Sequence, residues 1–326
     1  MVSNSTIIIS LCSQLCTGDG IVPLEPREWS NLAEKMMALG MQPANLMDFS
    51  EEDFSKILGM SSLETERMQK LLNRTGRLSF ELADLDVLGV HIVTRADREY
   101  PQKLKAKLKN HCPPLFYYAG NLQILNSNCA GFVGSRSILP VDADFAKNAV
   151  NKTLNNGYTI VSGGAKGVDS ISTGTALMSG GRAIEFLADS MLRRYKNTDA
   201  YDAVQDGRLL LISLVKPSAG FNVGNAMARN KFIYAQADGV VVVKSDYNKG
   251  GTWSGATDNL KNGWSTTYCW NNAEYQGNQA IIQKGAIPID DSWEGILDKA
   301  AISPHKTKST KSNLDSLAGE QISLFN

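Results

Sequence analysis

The sequence predicts an α/β protein in which a doubly wound, mostly parallel sheet follows a small all-α domain. Three observations carry this. Five short runs rich in valine, isoleucine and leucine ("CAGFVGSR", "YTIVSGG", "RAIEFLA", "RLLLISLV" and "GVVVVKS") alternate with helix-length stretches such as "DADFAKNAVNKTLNNG" and "GVDSISTGTALMSGG". Apolar runs in such alternation are strands of a parallel sheet covered on both faces. The first 80 residues read instead as capped helical segments. Finally, 326 residues with 43% apolar side chains can bury more than one core. The expected layout is a helical domain over 1–80, an extended Rossmann-like domain over 81–300 and a flexible tail over 301–326.

Taken in order, "STIIISLCSQLC" is interrupted by serine, threonine and glutamine and has no basic flank. It supports neither a signal peptide nor a membrane span, so the cytosol is the expected address. Three helices follow: "EPREWSNLAEKMMAL", "SEEDFSKILG" with Ser50 as N-cap and acidic Glu51, Glu52 and Asp53 in its first turn, and "SSLETERMQKLLNRTG", ending at a glycine. They lack a hairpin glycine motif and a dense basic face, which favours a packing or dimerisation module over a DNA contact. From about Asp84 the texture changes to a strand, a proline-bounded helix and another strand, leading into the five runs. The tail from Pro304 is rich in lysine, serine and threonine and reads as a linker.

Composition excludes several classes. Basic and acidic residues balance at 33 each, so an anionic partner must be met by a local patch. Five scattered cysteines fit a reducing compartment, and Cys12 and Cys16, one helical turn apart, read as a plain buried pair. With His91, His111 and His305 far apart, no metal is expected.

In an open parallel sheet, ligands bind beyond the carboxyl ends of the strands near a topological switch point. After the first strand stand Gly134, Ser135 and Arg136; after the second, Ser162, Gly163, Gly164, Lys166, Gly167 and Asp169. After "GVVVVKS" come Lys249, Gly250, Gly251, Thr252 and Ser254, and ahead of it Asn225, Arg229, Asn230 and Lys231. Glycine turns at helix starts let backbone N–H groups approach a phosphate, and the basic side chains add charge-assisted bonds. An anion site is therefore expected. Neither G-x-x-x-x-G-K-[ST] nor G-x-G-x-x-G after the first strand occurs, so no P-loop chemistry and no dinucleotide cofactor are expected. Asp169 reads as structural, capping N–H groups or orienting Lys166 and Arg136, with Val168, Ile171, Thr175 and Met178 burying the far face of its helix.

"PPLFYYAGN", "VGSRS", "IVSGGAKGVDSISTGTAL", "GNAMARNKFI" and "GGTWSGA", in this order, resemble the DNA-processing protein A (DprA/Smf) family over residues 84–290. The helical region is similar to the sterile-alpha-motif-like domain many members carry. The resemblance implies a non-enzymatic protein that binds single-stranded DNA in a basic pocket, forms homodimers and helps load a RecA-type recombinase in DNA processing, recombination and natural transformation. It places the family's arginine on Arg136, its glycine loop on Ser162 to Asp169 and its R-N pair on Arg229 and Asn230. It also shows departures. Ala226, Met227 and Ala228 stand where members have an aromatic, a proline and an arginine, leaving Tyr247 and Trp253 as candidate stacking rings. The C-terminal "QISLFN" resembles the peptide that docks in the bacterial sliding clamp, with Gln321, Leu324 and Phe325 as its anchors.

The competing readings are a nucleotide sensor or phosphoribohydrolase-like enzyme of the lysine-decarboxylase-like group, and a diverged member serving phage defence. The enzyme group resembles "KGGTWSGA" but carries a catalytic glutamate in the following helix, where Asp258 is the only carboxylate here.

Overall fold

The computed structural model describes residues 2–297, so Gln321, Leu324 and Phe325 lie outside the described residues. Five helices open the chain: α1 (Asn4–Cys12), α2 (Pro26–Ala38), α3 (Glu51–Lys56), α4 (Ser62–Leu72) and α5 (Thr75–Val87). Ser50 and Ser61 accept bonds from the N–H groups of Asp53 and Glu64, whose carboxylates accept from the cap N–H groups in return. These capping boxes start α3 and α4. Ile7, Ile8 and Leu11 of α1 pack with Trp29, Met36, Phe54 and Leu71 in one core.

Five helices, not three, arise because the serine-interrupted isoleucine run supplies this core and because the third expected helix divides. It ends at Leu72, and Gly76 lies in the first turn of α5. Residue 80 falls within α5, whose Leu78 and Leu85 pack into a core under the sheet. Cys12 closes α1, whereas Cys16 lies beyond it at φ 55°, so the two share no helical face.

The remaining elements are β1 (His91–Thr94), α6 (Gln102–Leu108), β2 (Leu115–Ala119), β3 (Cys129–Val133), α7 (Pro140–Asn155), β4 (Thr159–Ser162), α8 (Val168–Met178), β5 (Ala183–Leu187), α9 (Met191–Tyr195), α10 (Thr198–Gln205), β6 (Leu209–Ser213), α11 (Val223–Gln236), β7 (Gly239–Val242), α12 (Gly250–Asn262), β8 (Thr266–Trp270), α13 (Gln276–Gln283) and β9 (Ile287–Ile289). They form one sheet of order β1-β2-β6-β5-β4-β3-β7-β8-β9. From β6 to β9 every pairing is parallel, while β2 runs antiparallel to both β1 and β6. This is the expected Rossmann-like α/β fold. It continues through β8 and β9, whose mixed "TTYCW" and short "IPI" give little strand signal; Pro288 sits on the edge, where no further ladder bond is needed.

Alternate residues of each strand feed opposite cores. Ala130 and Phe132 face Phe145 and Ala149 of α7 and Val168 and Ala176 of α8, while Cys129 and Val133 face Phe232 and Ile233 of α11 and Ala256 of α12. On α8, Val168 and Thr175 are buried as the spacing required, but Met178 at the helix end is 82% exposed. No helix among the described residues is long and apolar enough to cross a membrane, and no group of three or more His, Cys, Asp or Glu there could hold a metal.

The chain winds from β3 to β6 in one direction and then returns to β7 beside β3, so the switch point lies between β3 and β7. Two bonds hold its loops. The Ser135 N–H donates to the Lys244 carbonyl at 2.9 Å, and the Lys244 ammonium donates at 2.9 Å to Asp142, in the first turn of α7. Asp142 is fully buried and also accepts from the Leu139 N–H at 2.7 Å and from the Tyr275 hydroxyl. Burial alone would raise its pKa; the Leu139, Lys244 and Tyr275 donors outweigh burial and hold it below the ordinary carboxylate value. Its contribution is therefore present above the unfolded pKa, about 3.9, and is lost as pH falls through the lower folded value. Asp142→Asn strands the Lys244 charge and is expected to cost on the order of 3 kcal/mol in urea unfolding at neutral pH. The loss should shrink toward zero as pH falls through the lowered folded value, where Asp142 itself becomes neutral; a loss independent of pH would contradict this account.

Candidate functional site

Beyond the carboxyl ends of β3, β4, β5 and β7 lies a cleft of two adjoining chambers. The first, about 480 Å3, sits at the switch point between the β3 loop and the starts of α11 and α12. The second, about 560 Å3, lies over the ends of β4 and β5. Arg136, Ala165, Phe221 and Arg229 line both.

Arg229 is the organising side chain. It projects from the inner face of α11, is 5% exposed, and brings Nη1 to 3.9 Å from Asp169 Oδ2. Its Nε and Nη1 are buried without a hydrogen-bond partner. Burial lowers the Arg229 pKa against the pull of Asp169, and burial raises that of Asp169 against the pull of Arg229. Each desolvated charge is thus sustained chiefly by the other. Asp169 is expected to cap N–H groups or to orient Lys166 and Arg136; it accepts from the Ala165 N–H, at 3.4 Å, but its charged partner is Arg229. Lys166 points to solvent instead.

The glycines also find an unexpected reason. A Cβ on Gly163 would stand 1.3 Å from Arg229 Nη1, so the space the sequence reserved for a ligand is filled by the protein's own guanidinium. Gly167, at φ +82°, would place a Cβ 2.3 Å from the Ser135 carbonyl, which lets the β3 and β4 loops touch. Gly134 packs against Val168 and Gly164 against Leu187. Of the three loops, the one at the start of α12 lacks a side-chain cap. Its cap residue Lys249 is extended and gives no side-chain bond, and Lys249, Gly250, Gly251 and Thr252 face the first chamber. Uncapped N–H groups and the helix dipole make that corner receptive to an anion.

Of the other residues singled out in the sequence, Gly134, Ser135, Arg136, Asp169 and Asn230 line the first chamber, and Gly163, Gly164 and Lys166 the second. Asn230 donates to the Gly251 carbonyl at 3.2 Å, tying α11 to α12. Five residues are not brought there: Gly167, spent on the contact with Ser135, lines neither chamber, and four more lie elsewhere. The Ser162 hydroxyl is buried and donates to the Phe132 carbonyl at 2.8 Å. Asn225 lies in the first turn of α11, where its N–H donates to the capping Asn222. Lys231 and Ser254 line a separate groove between α11 and α12, together with Asp258. Two residues along a helix is a rotation of roughly 200°, which sends Lys231 away from the face of Arg229. Trp253 is core, and Tyr247 is 59% exposed with its ring in edge contact with it at 5.3 Å.

Sequence reading missed Phe221, 52% exposed, over whose ring the Arg136 guanidinium lies at 5.2 Å. Its signal was a lone aromatic between a glycine and the helix cap Asn222. It also missed Arg193 and Arg194 after β5. Arg194 grips buried Glu185 with two bonds, 2.8 and 3.1 Å, and reaches Asp199; Arg193 pairs with Asp189. The rule used for the other loops, applied to the end of β5, would have reached them.

A family model described as DNA recombination-mediator protein A matches residues 91–300. DNA processing protein DprA of Streptococcus pneumoniae is 30% identical over 140 residues, 42% of this chain and 49% of that protein. The Bacillus subtilis protein of the same name is 26% identical over 166 residues, 50% of this chain and 54% of that one. The chain thus spans about half the length of the curated relatives it matches. Among solved structures, S. pneumoniae DprA superposes with a TM-score of 0.68 at 20% identity, over 88% of this chain and 95% of that one. DNA processing protein A from Helicobacter pylori, whose structure concerns its single-stranded DNA binding mode, gives 0.51 at 25% identity, over 61% and 90%.

The fit of Arg229 over Gly163 is testable by a double-mutant cycle. Gly163→Ala alone is expected to cost about 1–3 kcal/mol by overpacking, and Arg229→Ala alone about 3–5 kcal/mol by stranding Asp169. The double variant should fall short of the sum by at least about 1 kcal/mol, since the alanine methyl then enters vacated space. Additive losses in urea unfolding would refute the contact.

Proposed function

The chain belongs to the DNA recombination-mediator protein A family, and on that premise we propose that the two-chambered cleft binds single-stranded DNA by its phosphates. The protein then acts as a non-enzymatic mediator that passes the strand to a RecA-type recombinase, working as a homodimer. The observation that carries this reading is the corner where the N–H groups at the start of α12, free of any side-chain cap, face the same chamber as the exposed cations Arg136 and Lys249, with Arg229 buried in the wall behind them. Such donors are satisfied by an anion whose charge they also neutralise. The H. pylori relative, described by its single-stranded DNA binding, supports the choice of anion.

The residues favour holding over cutting. Asp169, the buried carboxylate of the first chamber, is committed to Arg229, and Asp258 lies in the other groove. Asp246, the first chamber's other carboxylate, is exposed to water and has no histidine beside it in the lining to share a proton with. Exposed Phe221, Val223 and Met227 at the chamber mouth offer apolar surface to bases, and stacking of that kind is tolerant of sequence. We further propose that Gln321, Leu324 and Phe325 dock in the sliding clamp.

Because net charge is balanced, attraction is local and few phosphates are engaged. For three or four phosphates, log affinity for a labelled poly-dT oligomer should fall with log salt at a slope of about −2 to −3. Arg136→Ala is expected to weaken binding about tenfold and to flatten that slope by about 0.7. Tight mononucleotide binding without salt-sensitive oligomer binding would sink the proposal. Deleting residues 321–326 should abolish clamp pull-down and leave oligomer binding unchanged; retained pull-down would remove the clamp from the account.

A further inference from the structure

How much of a strand the cleft holds follows from its division. At about 480 and 560 Å3, each chamber is of the size that encloses one small molecule, about 300–1,000 Å3. Their chemistry differs. The first combines the N–H groups of α12 with an apolar wall that includes Val223, Met227 and Ile233. The second is the more cationic, with five basic side chains to one carboxylate among its lining residues. They meet at Arg136 and Phe221, whose cation–π contact at 5.2 Å forms a thin partition with Arg229 beneath it.

We infer that the cleft takes two consecutive nucleotides of one strand, one in each chamber, with the linking phosphate facing Arg136 and Arg229 and a base against Phe221. This rests on the reading of the cleft as a single-stranded DNA site and adds its extent. A single nucleotide under α12 leaves Lys166, exposed and without an ion pair, and the loosely held Arg193 of the second chamber with no phosphate to meet. Among those cations the arginines are not equivalent. Arg194 is held by Glu185 and Asp199 and is only 19% exposed, so it is wall. Arg193 is tied to Asp189 alone and its side chain is 71% exposed. A surface pair of that kind is weak, so Arg193 can turn from Asp189 to a phosphate at little cost. It is the residue that reads the second nucleotide, whereas the donors at α12 read the first.

The test is competition against a labelled poly-dT oligomer by thymidine mono- and dinucleotides phosphorylated at both the 5′ and 3′ ends, so that the dinucleotide brings one phosphate more, for Arg193. The dinucleotide is expected to compete at about tenfold lower concentration, the gain from one more charge-assisted contact. Arg193→Ala should bring the dinucleotide to within about twofold of the mononucleotide while leaving the mononucleotide unchanged. Lys147→Ala, on α7 outside both chambers, should change neither and so separates a local contact from loss of net charge. Equal competition by the two ligands on the unaltered protein, or an Arg193→Ala effect that is nil or equal on both, overturns the inference. If the oligomer itself does not bind, the single-stranded DNA reading falls first; if it binds and the ligands compete equally, only the two-nucleotide extent falls.

Discussion

The architecture of the cleft depends on one desolvated ion pair. Arg229 enters from α11 and Asp169 from the first turn of α8, and they meet over Gly163 at the end of β4. Neither charge has enough partners to be comfortable alone, and removing either leaves the other uncompensated in low dielectric. That constraint explains the surrounding sequence. Gly163 must lack a side chain, Gly167 must take a conformation that lets its loop touch Ser135, and α11 must present an inward face just where the R-N pair stands. The same burial that makes the pair costly withholds water from the Arg229 N–H groups, so their pull on an arriving anion is less screened.

A second buried cluster performs the complementary task across the switch point. Asp142, Lys244 and Tyr275 join α7, the end of β7 and the start of α13, and the Ser135 to Lys244 backbone bond closes the gap. The charged residues around the cleft thus divide into two kinds. Those with buried partners, Lys244, Arg194 and Arg229, are walls. Arg136, Lys166 and Lys249 have no ion pair among the described residues, Arg193 has only a surface one, and these four face outward, where they can meet a flexible ligand.

The departure at Ala226, Met227 and Ala228 changes meaning in three dimensions. A ring nevertheless stands five residues before Ala226: Phe221, just ahead of the Asn222 cap and covered on one face by Arg136. Met227 and Val223 then give the helix start an apolar rim. An aromatic before a helix, unlike one within it, can serve both chambers.

The fold class, the five central strands and the edge on which the glycine and basic loops gather are legible in the order of amino acids alone. Those follow from local physics: continuous apolar runs need two covered faces, serine caps with acidic first turns start helices, and strand ends in a parallel sheet converge on one rim. Tertiary structure alone decided what the glycines accommodate, which basic residues face the cleft and where the aromatic stands. Gly163 is small for a side chain 66 positions away, Lys231 and Ser254 are turned aside by helix rotation, and Arg193 joins the rim because β5 lies beside β4. Such contacts join residues remote in the chain, and no local propensity records them.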